Sequence, residues 1–215
     1  MSYEEQKNYF ETAYNTGSDT WTNSTIPESS KQFIEKLPSK AMVLDLGSGR
    51  GRFPFTLAEN GFRVIGLEYV VSLVKKNNEE VLNKALDGSI RFVEGDALDI
   101  PFSDDGFDGL VDIGLLQHLK QSDFEQYKNE VVRVLKPGGY YLLSVLSKDT
   151  PAYFTWHPKN DSESSYEKDG LQYYFFTDEE IKKLFENNFE IISHTKETVY
   201  SPQNPIVHVL ILKKK

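Results

Sequence analysis

The stretch Val43-Leu44-Asp45-Leu46-Gly47-Ser48-Gly49-Arg50-Gly51 decides how the rest of this chain is interpreted. An apolar run is interrupted by one acid, and three glycines then follow at alternate positions. The run predicts a buried strand, and the glycines predict a tight turn at its carboxyl end. Glycine has no Cβ and tolerates positive φ, so a ligand can approach the bare backbone there. The stretch therefore indicates a site for a nucleotide-like ligand.

The spacing of the glycines indicates which kind of ligand. A dinucleotide-binding turn has the spacing G-x-G-x-x-G, whereas here Gly51 comes one residue early and Arg52 fills the usual place. Asp45 precedes the first glycine by two positions. A carboxylate there would repel a diphosphate and attract an ammonium group. The predicted ligand is a nucleoside that carries an amino-acid tail.

Strand and helix patterns alternate on both sides of this turn. Alternation of this kind predicts an α/β fold in which helices cover both faces of a parallel sheet, with ligands bound beyond the carboxyl ends of the strands. The predicted strands are 41–45, 62–68, 90–94, 107–113 and 140–146. The last two strands, 190–200 and 206–213, are joined by a short turn and are therefore expected to be antiparallel neighbours.

Two segments fall outside the alternating pattern. The sequence predicts that residues 1–38 form an N-terminal helical cap, with a helix over 3–15. Residues 147–176 are rich in aromatic, charged and serine residues, and a stretch of that length without regular structure is typical of a functional loop or lid. Capping-box spacing predicts helix starts at Ser122 and at Thr177. No domain linker is evident, so the chain is expected to form one domain.

The composition narrows the class of protein. The 215 residues carry a net charge of −9 and contain no cysteine. An acidic surface repels phosphate backbones, so bulk nucleic-acid binding is not expected. No apolar run approaches the roughly 20 residues of a membrane span, and residues 1–6 lack a basic and apolar signal pattern. A cytoplasmic protein without a membrane partner is the expectation, and the oligomeric state is not predicted.

Five segments, in order, resemble the motifs of class I S-adenosylmethionine-dependent methyltransferases. They are the glycine stretch, Glu68, Gly95-Asp96-Ala97, the strand 107–112, and Leu135-Lys136-Pro137-Gly138-Gly139. The resemblance covers about 40–146. It implies a Rossmann-like, doubly wound sheet of seven strands, mostly parallel, with one antiparallel strand near the C-terminus. It also implies S-adenosylmethionine as cofactor, S-adenosylhomocysteine as product and methyl transfer as the reaction.

The resemblance assigns roles to individual residues. Glu68 is expected to hold the ribose hydroxyls, Asp96 the adenine amino group, and the Ala97 amide a ring nitrogen. The full expected cofactor-binding set is Asp45, Gly47, Ser48, Gly49, Gly51, Glu68, Tyr69, Asp96, Ala97 and Asp112. Two alternatives stay open: Glu68 instead caps the next helix, and Asp99 competes with Asp96.

The acceptor side is less well defined. His118 is a candidate base near neutral pH, with a packing or pocket-wall role as the alternative. The candidate substrate-side residues, some of which are equally suited to packing the loop onto the sheet, are Tyr14, Trp21, Tyr153, Trp156, His157 and Tyr174. A general base is needed only if the acceptor arrives protonated. No paired acids or histidines in the sequence suggest a metal site.

The expected acceptor is a small molecule. The Asn/Asp-Pro-Pro-aromatic motif of exocyclic base-amine methylation is absent, since 112–115 reads Asp-Ile-Gly-Leu, and a cysteine adduct on cytosine is excluded. Alternatives are a non-catalytic cofactor-binding regulatory protein and a methyltransferase that acts on protein or RNA. A nicotinamide-dependent oxidoreductase is a third, and Gly51 and Asp45 disfavour it.

Overall fold

The computed structural model describes residues 2–156, 164–168, 170–201 and 204–215. The strands are β1 (Met42–Leu46), β2 (Arg63–Glu68), β3 (Ile90–Glu94), β4 (Phe107–Ile113), β5 (Leu135–Leu146), β6 (Ser165–Lys168), β7 (Leu171–Tyr174), β8 (Phe189–Thr198) and β9 (Ile206–Lys214). The helices are α1 (Tyr3–Thr16), α2 (Ser30–Lys36), α3 (Arg52–Glu59), α4 (Val71–Asn83), α5 (Phe124–Val134), α6 (Pro151–Trp156) and α7 (Asp178–Phe185). None of these helices has the length and hydropathy that a membrane span requires.

The main sheet has seven strands in the order β3-β2-β1-β4-β5-β9-β8. All neighbours from β3 to β5 are parallel, and β9 is antiparallel to both β5 and β8. The predicted Rossmann-like sheet with one antiparallel strand near the C-terminus is thus confirmed. The strand order reverses direction between β1 and β4, which is where ligands bind on sheets of this type.

β1 is apolar because helices cover both faces of the sheet at its centre. Leu44 and Leu46 are buried against the cluster that includes residues of α5 and α7. Val43 is buried in the opposite cluster, which includes residues of α2, α3 and α4. Asp45 lies between Gly66 and Val111 in the strand register. The one acid in this strand therefore lies in the middle of the sheet, one residue before its carboxyl end.

The two predicted capping boxes have different outcomes. The one at α7 is confirmed, since the Glu180 amide donates to Thr177 Oγ1 at 3.1 Å and Glu180 Oε2 accepts from the Thr177 amide at 2.8 Å. The one at Ser122 is wrong. Residues 121–123 form a 3₁₀ turn that leads into α5, and Ser122 Oγ donates to Asp123 Oδ1. The chain enters α5 without a side-chain cap.

The segment 147–176 contains more regular structure than its sequence pattern predicts. It begins with α6 and continues into the antiparallel hairpin of β6 and β7. Ser147 and Phe176 form a parallel bridge that returns the chain to the sheet. Gln6 of α1 accepts from the Gln172 amide of β7 at 3.3 Å. The predicted cap and the predicted loop therefore meet each other at the carboxyl edge of the sheet.

Candidate active site

A cavity of about 400 Å³ lies beyond the carboxyl ends of β1, β2 and β4. This volume is within the range of small-molecule and cofactor sites. Its walls come from the glycine turn, α1 with the segment that follows it, the 3₁₀ turn at Leu116–His118, and β7. The predicted residues among its lining are Tyr14, Trp21, Asp45, Gly47, Ser48, Gly49, Glu68, Tyr69, Asp96, Ala97 and His118.

Close approach of backbone and side chain explains two of the glycines. Gly49 has φ +51°, and a Cβ built there would lie 3.0 Å from the Tyr14 hydroxyl. Gly51 has φ +74°, and its Cβ would lie 2.6 Å from Phe92 Cζ. Gly51 does not line the cavity. The sequence places Gly51 among the cofactor-binding residues. In the structure, Gly51 instead allows the turn to pack on Phe92.

Asp45 has the most unusual environment among the acids of the site. Its side chain is only 5% exposed, it lines the cavity, and no hydrogen bond joins its carboxylate to another described residue. Burial, and then the nearby Asp112 and Glu68 carboxylates, raise the pKa of Asp45 well above its ordinary value. A buried carboxylate without a partner is costly. The site is therefore suited to a ligand that brings a positive charge.

Glu68 connects the glycine turn to the start of α4. Its Oε2 accepts from the Gly49 amide at 2.8 Å, and its Oε1 accepts from the Val70 amide at 3.0 Å. Burial raises the pKa of Glu68 despite these bonds. The contact with Val70 agrees with the helix-capping alternative, but it does not exclude a ligand role. Each carboxylate oxygen has a second lone pair that can accept from a ligand hydroxyl.

Ser48 and Asp96 are two more residues for which the sequence predicts a cofactor contact. Ser48 Oγ is buried and has no hydrogen-bond partner among the described residues. Asp96 is exposed and lines the cavity. Asp99, the alternative candidate for the adenine contact, does not line it. Asp96 Oδ1 accepts from the Leu98 amide at 2.9 Å, which holds the turn after β3 in place. Location therefore favours Asp96 over Asp99.

Asp112 is fully buried and lies outside the cavity, unlike the sequence expectation. Its carboxylate accepts from the Leu115 and Leu116 amides at 2.7 and 3.0 Å. It also accepts from the Tyr127 hydroxyl at 2.6 Å, which in turn lies 2.9 Å from the Tyr141 hydroxyl. Burial raises the pKa of Asp112 to about 6, although these hydrogen bonds lower it. Asp112 thus positions the chain that leads to His118.

His118 lies in the cavity wall between two aromatic rings. Its ring centroid is 5.5 Å from that of Phe10 and 5.0 Å from that of Tyr173. Nδ1 lies 2.7 Å from the Gln172 carbonyl oxygen, so Nδ1–H donates and Nε2 carries the lone pair. Burial lowers the pKa of His118 to about 4. The ring is therefore neutral at pH 7, and it is a weak base.

A clamp that the sequence did not reveal joins the segment after α1 to the glycine turn. Arg50 donates from Nε and Nη2 to the two oxygens of buried Asp19, at 2.6 and 2.8 Å. Arg50 Nη2 also donates to the Tyr14 carbonyl at 2.9 Å, and Trp21 Nε1 donates to the Tyr14 hydroxyl at 3.1 Å. This network holds Tyr14 and Trp21 over the turn.

The aromatic residues of the segment 147–176 are distributed differently from the prediction. Tyr153 and Tyr174 are buried and do not line the cavity. Tyr174 donates to Glu180 at 2.9 Å, and the adjacent Tyr173 lines the cavity instead. Successive side chains of a strand point to opposite faces, so only one of the two can reach the site. His157 and the Trp156 side chain lie outside the described residues.

Sequence relatives agree with the fold. Residues 43–139 match a family described as "Methyltransferase domain". Phosphoethanolamine N-methyltransferase 1 of Triticum aestivum is 32% identical over 120 residues, which cover 54% of this chain and 24% of that protein. Demethylmenaquinone methyltransferase of Desulfitobacterium hafniense is 32% identical over 123 residues, which cover 55% and 47%. The chain thus spans about a quarter and about half of these relatives' lengths.

Solved structures extend the likeness to nearly the whole chain. Burkholderia thailandensis 1,6-didemethyltoxoflavin-N1-methyltransferase, bound to 1,6-didemethyltoxoflavin and S-adenosylhomocysteine, has a TM-score of 0.78 at 23% identity and covers 99% of this chain and 88% of its own. A SAM-dependent methyltransferase of Methanosarcina mazei has a TM-score of 0.76 at 21% identity, with 88% and 98% covered.

The fold is that of the solved S-adenosylmethionine-dependent methyltransferases, and residues 43–139, a little under half of the chain, match the methyltransferase-domain family. Those structures belong to enzymes that use S-adenosylmethionine, and the residues in the cavity wall of this chain fit that cofactor. The unpartnered Asp45 carboxylate in the cavity wall suits an ammonium group.

Proposed function

We propose that this chain transfers a methyl group from S-adenosylmethionine to a small-molecule acceptor by in-line displacement. The observation that carries the proposal is the buried, unpartnered carboxylate of Asp45 in the cavity wall beside Glu68. An acid in that position is costly without a cationic ligand, and the cofactor of this family has an amino-acid tail.

In the proposed complex, each side chain makes the contact that its chemistry allows. Asp45 binds the ammonium group, and Glu68 accepts from the ribose hydroxyls through the lone pairs that the Gly49 and Val70 amides leave unused. Asp96 and the Ala97 amide bind the adenine edge. The cofactor supplies a methyl group on a sulfonium, which leaves as a neutral thioether.

The acceptor is proposed to bind against the wall formed by Phe10, His118 and Tyr173. Aromatic rings exclude water from the reacting atoms, and alignment in a dry site can supply much of the rate. His118 is neutral, and its Nε2 accepts a long hydrogen bond of 3.4 Å from the Gln117 side-chain amide, which a donor group of the acceptor would replace. With a pKa of about 4, its proposed role is to orient a donor group of the acceptor rather than to remove a proton at neutral pH.

Three observations support a small acceptor over a macromolecule. The cavity of about 400 Å³ is enclosed by α1 on one side and β7 on another. The net charge of −9 disfavours nucleic acid. The Burkholderia neighbour, which has the same fold, binds a small molecule by its description. A side chain that filled the acceptor side of the cavity would favour a purely regulatory cofactor-binding role, but Tyr174 packs in the core rather than in the cavity.

Titration calorimetry with S-adenosylmethionine tests the proposal, with Asp45→Asn as the variant and Asp99→Asn as its matched control. We expect the wild type and Asp99→Asn to bind alike and Asp45→Asn to bind at least about tenfold more weakly, since a charge-assisted contact is lost. Incubation with the cofactor and a panel of small amines, phenols and quinols should then yield S-adenosylhomocysteine. Equal affinity of Asp45→Asn and the wild type would refute the cofactor assignment, and absence of turnover with every acceptor class would count against the activity.

A further inference from the structure

A second cluster of polar side chains lies outside the cavity, at the edge of the sheet that α7 covers. Asp178 is the first residue of α7, His194 lies on the edge strand β8, and His208 lies on β9. One possible ligand atom from each residue lies within 4.8 Å of the other two. None of the three lines the cavity.

The ring of His208 is held in a fixed orientation. It is fully buried, and its Nε2 lies 2.9 Å from the Phe176 carbonyl oxygen. A carbonyl only accepts, so Nε2 carries the hydrogen and Nδ1 presents its lone pair. Metal-binding histidines characteristically donate their second ring nitrogen to a carbonyl or a carboxylate in this way.

The lone pair of His208 points at the second histidine. His194 Nε2 donates to His208 Nδ1 at 2.9 Å and lies 3.8 Å from Asp178 Oδ1, so a bound ion replaces this hydrogen bond and His194 then carries its hydrogen on Nδ1. Tetrahedral coordination with Zn–N bonds of about 2.0–2.1 Å separates ligand atoms by roughly 3.3 Å. Those two distances lie on either side of that value and differ from it by about 0.5 Å or less, and the third pair, His208 and Asp178, lies within 4.8 Å, so a bound ion draws the Asp178 carboxylate inward.

Charged side chains of both signs lie around the cluster, so its suitability for a cation depends on the two imidazoles and the Asp178 carboxylate. Lys196 contacts Asp178 Oδ2 and also Asp149 Oδ2, the latter at 2.6 Å. The two carboxylates face two ammonium groups, since the charge of Lys182 also acts on His194, and Asp178 Oδ1 remains free of the Lys196 contact. The Asp178 side chain is 47% exposed, so an ion can reach the cluster and solvent can complete its coordination.

We propose that Asp178, His194 and His208 form a binding site for a divalent transition-metal ion, of which Zn²⁺ is the representative. Two imidazoles and one carboxylate suit Zn²⁺ and its neighbours in the first transition row, and they suit Mg²⁺ poorly. The ion joins α7 to β8 and β9. Through His208 and the Phe176 carbonyl it also stabilises the point where the segment 147–176 returns to the sheet.

The site was not visible in the sequence because its residues are separated by 16 and 14 positions and share no motif. The register of the C-terminal hairpin pairs Lys196 with His208. Side chains two apart on a strand share a face, so His194 lies on the same face as His208, and this is the face that α7 covers.

The test uses the full chain after treatment with a chelator. Titration with Zn²⁺, followed by calorimetry and thermal unfolding, should give one ion per chain and a higher melting temperature. Co²⁺ should give the visible absorption of a tetrahedral or five-coordinate nitrogen–oxygen site. Mg²⁺ under the same conditions should give neither effect.

His194→Gln and Asp178→Asn are the variants, and His118→Gln is the matched control because it removes a histidine outside the cluster. We expect the first two to lose Zn²⁺ affinity by roughly tenfold or more and the control to bind like the wild type. Metal-free melting curves establish that each variant is folded, and binding of S-adenosylmethionine is measured separately.

Two results would overturn the proposal. One is a wild-type chain that binds no stoichiometric Zn²⁺. The other is binding that survives in both His194→Gln and Asp178→Asn, because the ion would then lie elsewhere. Neither result bears on the proposed methyl transfer, since the cluster and the cavity share no residue.

Discussion

Glu68 Oε2 accepts a hydrogen bond from the Gly49 amide at 2.8 Å, across the gap between β2 and the glycine turn. The same carboxylate accepts from the Val70 amide through its other oxygen. One side chain therefore fixes the shape of the turn and the start of α4 before any ligand arrives. A site organised in advance loses less free energy of ordering when it binds.

Replacement of Glu68 by glutamine should weaken cofactor binding by at least about tenfold, because the amide keeps one acceptor oxygen and loses the charge. The matched control is Glu94→Gln. Glu94 ends β3 and is the register partner of Glu68, but it is exposed and outside the cavity. Titration calorimetry on both variants measures the difference, and equal weakening in the two would mean that Glu68 has no specific role.

Cofactor affinity should fall as the pH is lowered. Burial and the neighbouring acids raise the pKa of Asp45 in the free protein, so the carboxylate takes up a proton in this direction and loses its attraction for an ammonium group. Binding should therefore release protons, and calorimetry in buffers of different ionisation enthalpy detects that release. Asp45→Asn should remove most of the pH dependence, whereas Asp99→Asn should retain it.

Arg50→Lys should loosen the segment after α1. Lysine cannot form the two parallel hydrogen bonds that Arg50 makes with Asp19, and buried Asp19 would lose part of its pairing. The expected loss of stability is about 2 kcal/mol, together with faster amide hydrogen exchange over 14–24. The control is Arg63→Lys, at an exposed position at the start of β2. Unchanged exchange in Arg50→Lys would mean that the clamp does not hold this segment.

Tyr127→Phe should destabilise the fold more at pH 8 than at pH 5. The hydroxyl donates to Asp112 and favours its charged form, while burial raises the pKa of Asp112 to about 6. Above that pH the carboxylate is charged and the lost donor costs about 1–3 kcal/mol, whereas at pH 5 the carboxyl is largely protonated and the cost is smaller.

Chemical denaturation at the two pH values measures the effect of Tyr127→Phe. The control is Tyr140→Phe, because the Tyr140 hydroxyl makes no hydrogen bond to a described residue. A loss of stability in Tyr127→Phe that does not change with pH would show that the hydroxyl acts independently of the charge on Asp112.

Much of the fold follows from local patterns. The strands 90–94 and 107–113 have the predicted bounds, because each is an apolar run between clear turn signals. The predicted strand 140–146 begins earlier, at Leu135, since the Lys-Pro-Gly-Gly break is accommodated as a register irregularity beside β4. The Ser122 capping box fails because spacing alone cannot distinguish a helix start from a 3₁₀ turn.

The candidate site was predicted in part. Asp45, Glu68 and Asp96 are in the cavity wall as expected, because each lies within two residues of the carboxyl end of a parallel strand and such ends converge. Their contacts to the cofactor stay predictions. Asp112 instead accepts hydrogen bonds within the protein, and Gly51 allows the turn to pack on Phe92. The sequence contains no signal for the Arg50–Asp19 clamp, because its partners are 31 positions apart.

The sequence by itself determined the doubly wound sheet and the glycine turn at its centre, because hydrophobic periodicity and turn chemistry act over a few residues. Only the tertiary structure decided that Tyr173 rather than Tyr174 faces the cavity, and that His194 and His208 meet beside Asp178. Those choices depend on strand register and on which face a helix covers. Both are set by the packing of residues far apart in the chain, where local spacing carries no information.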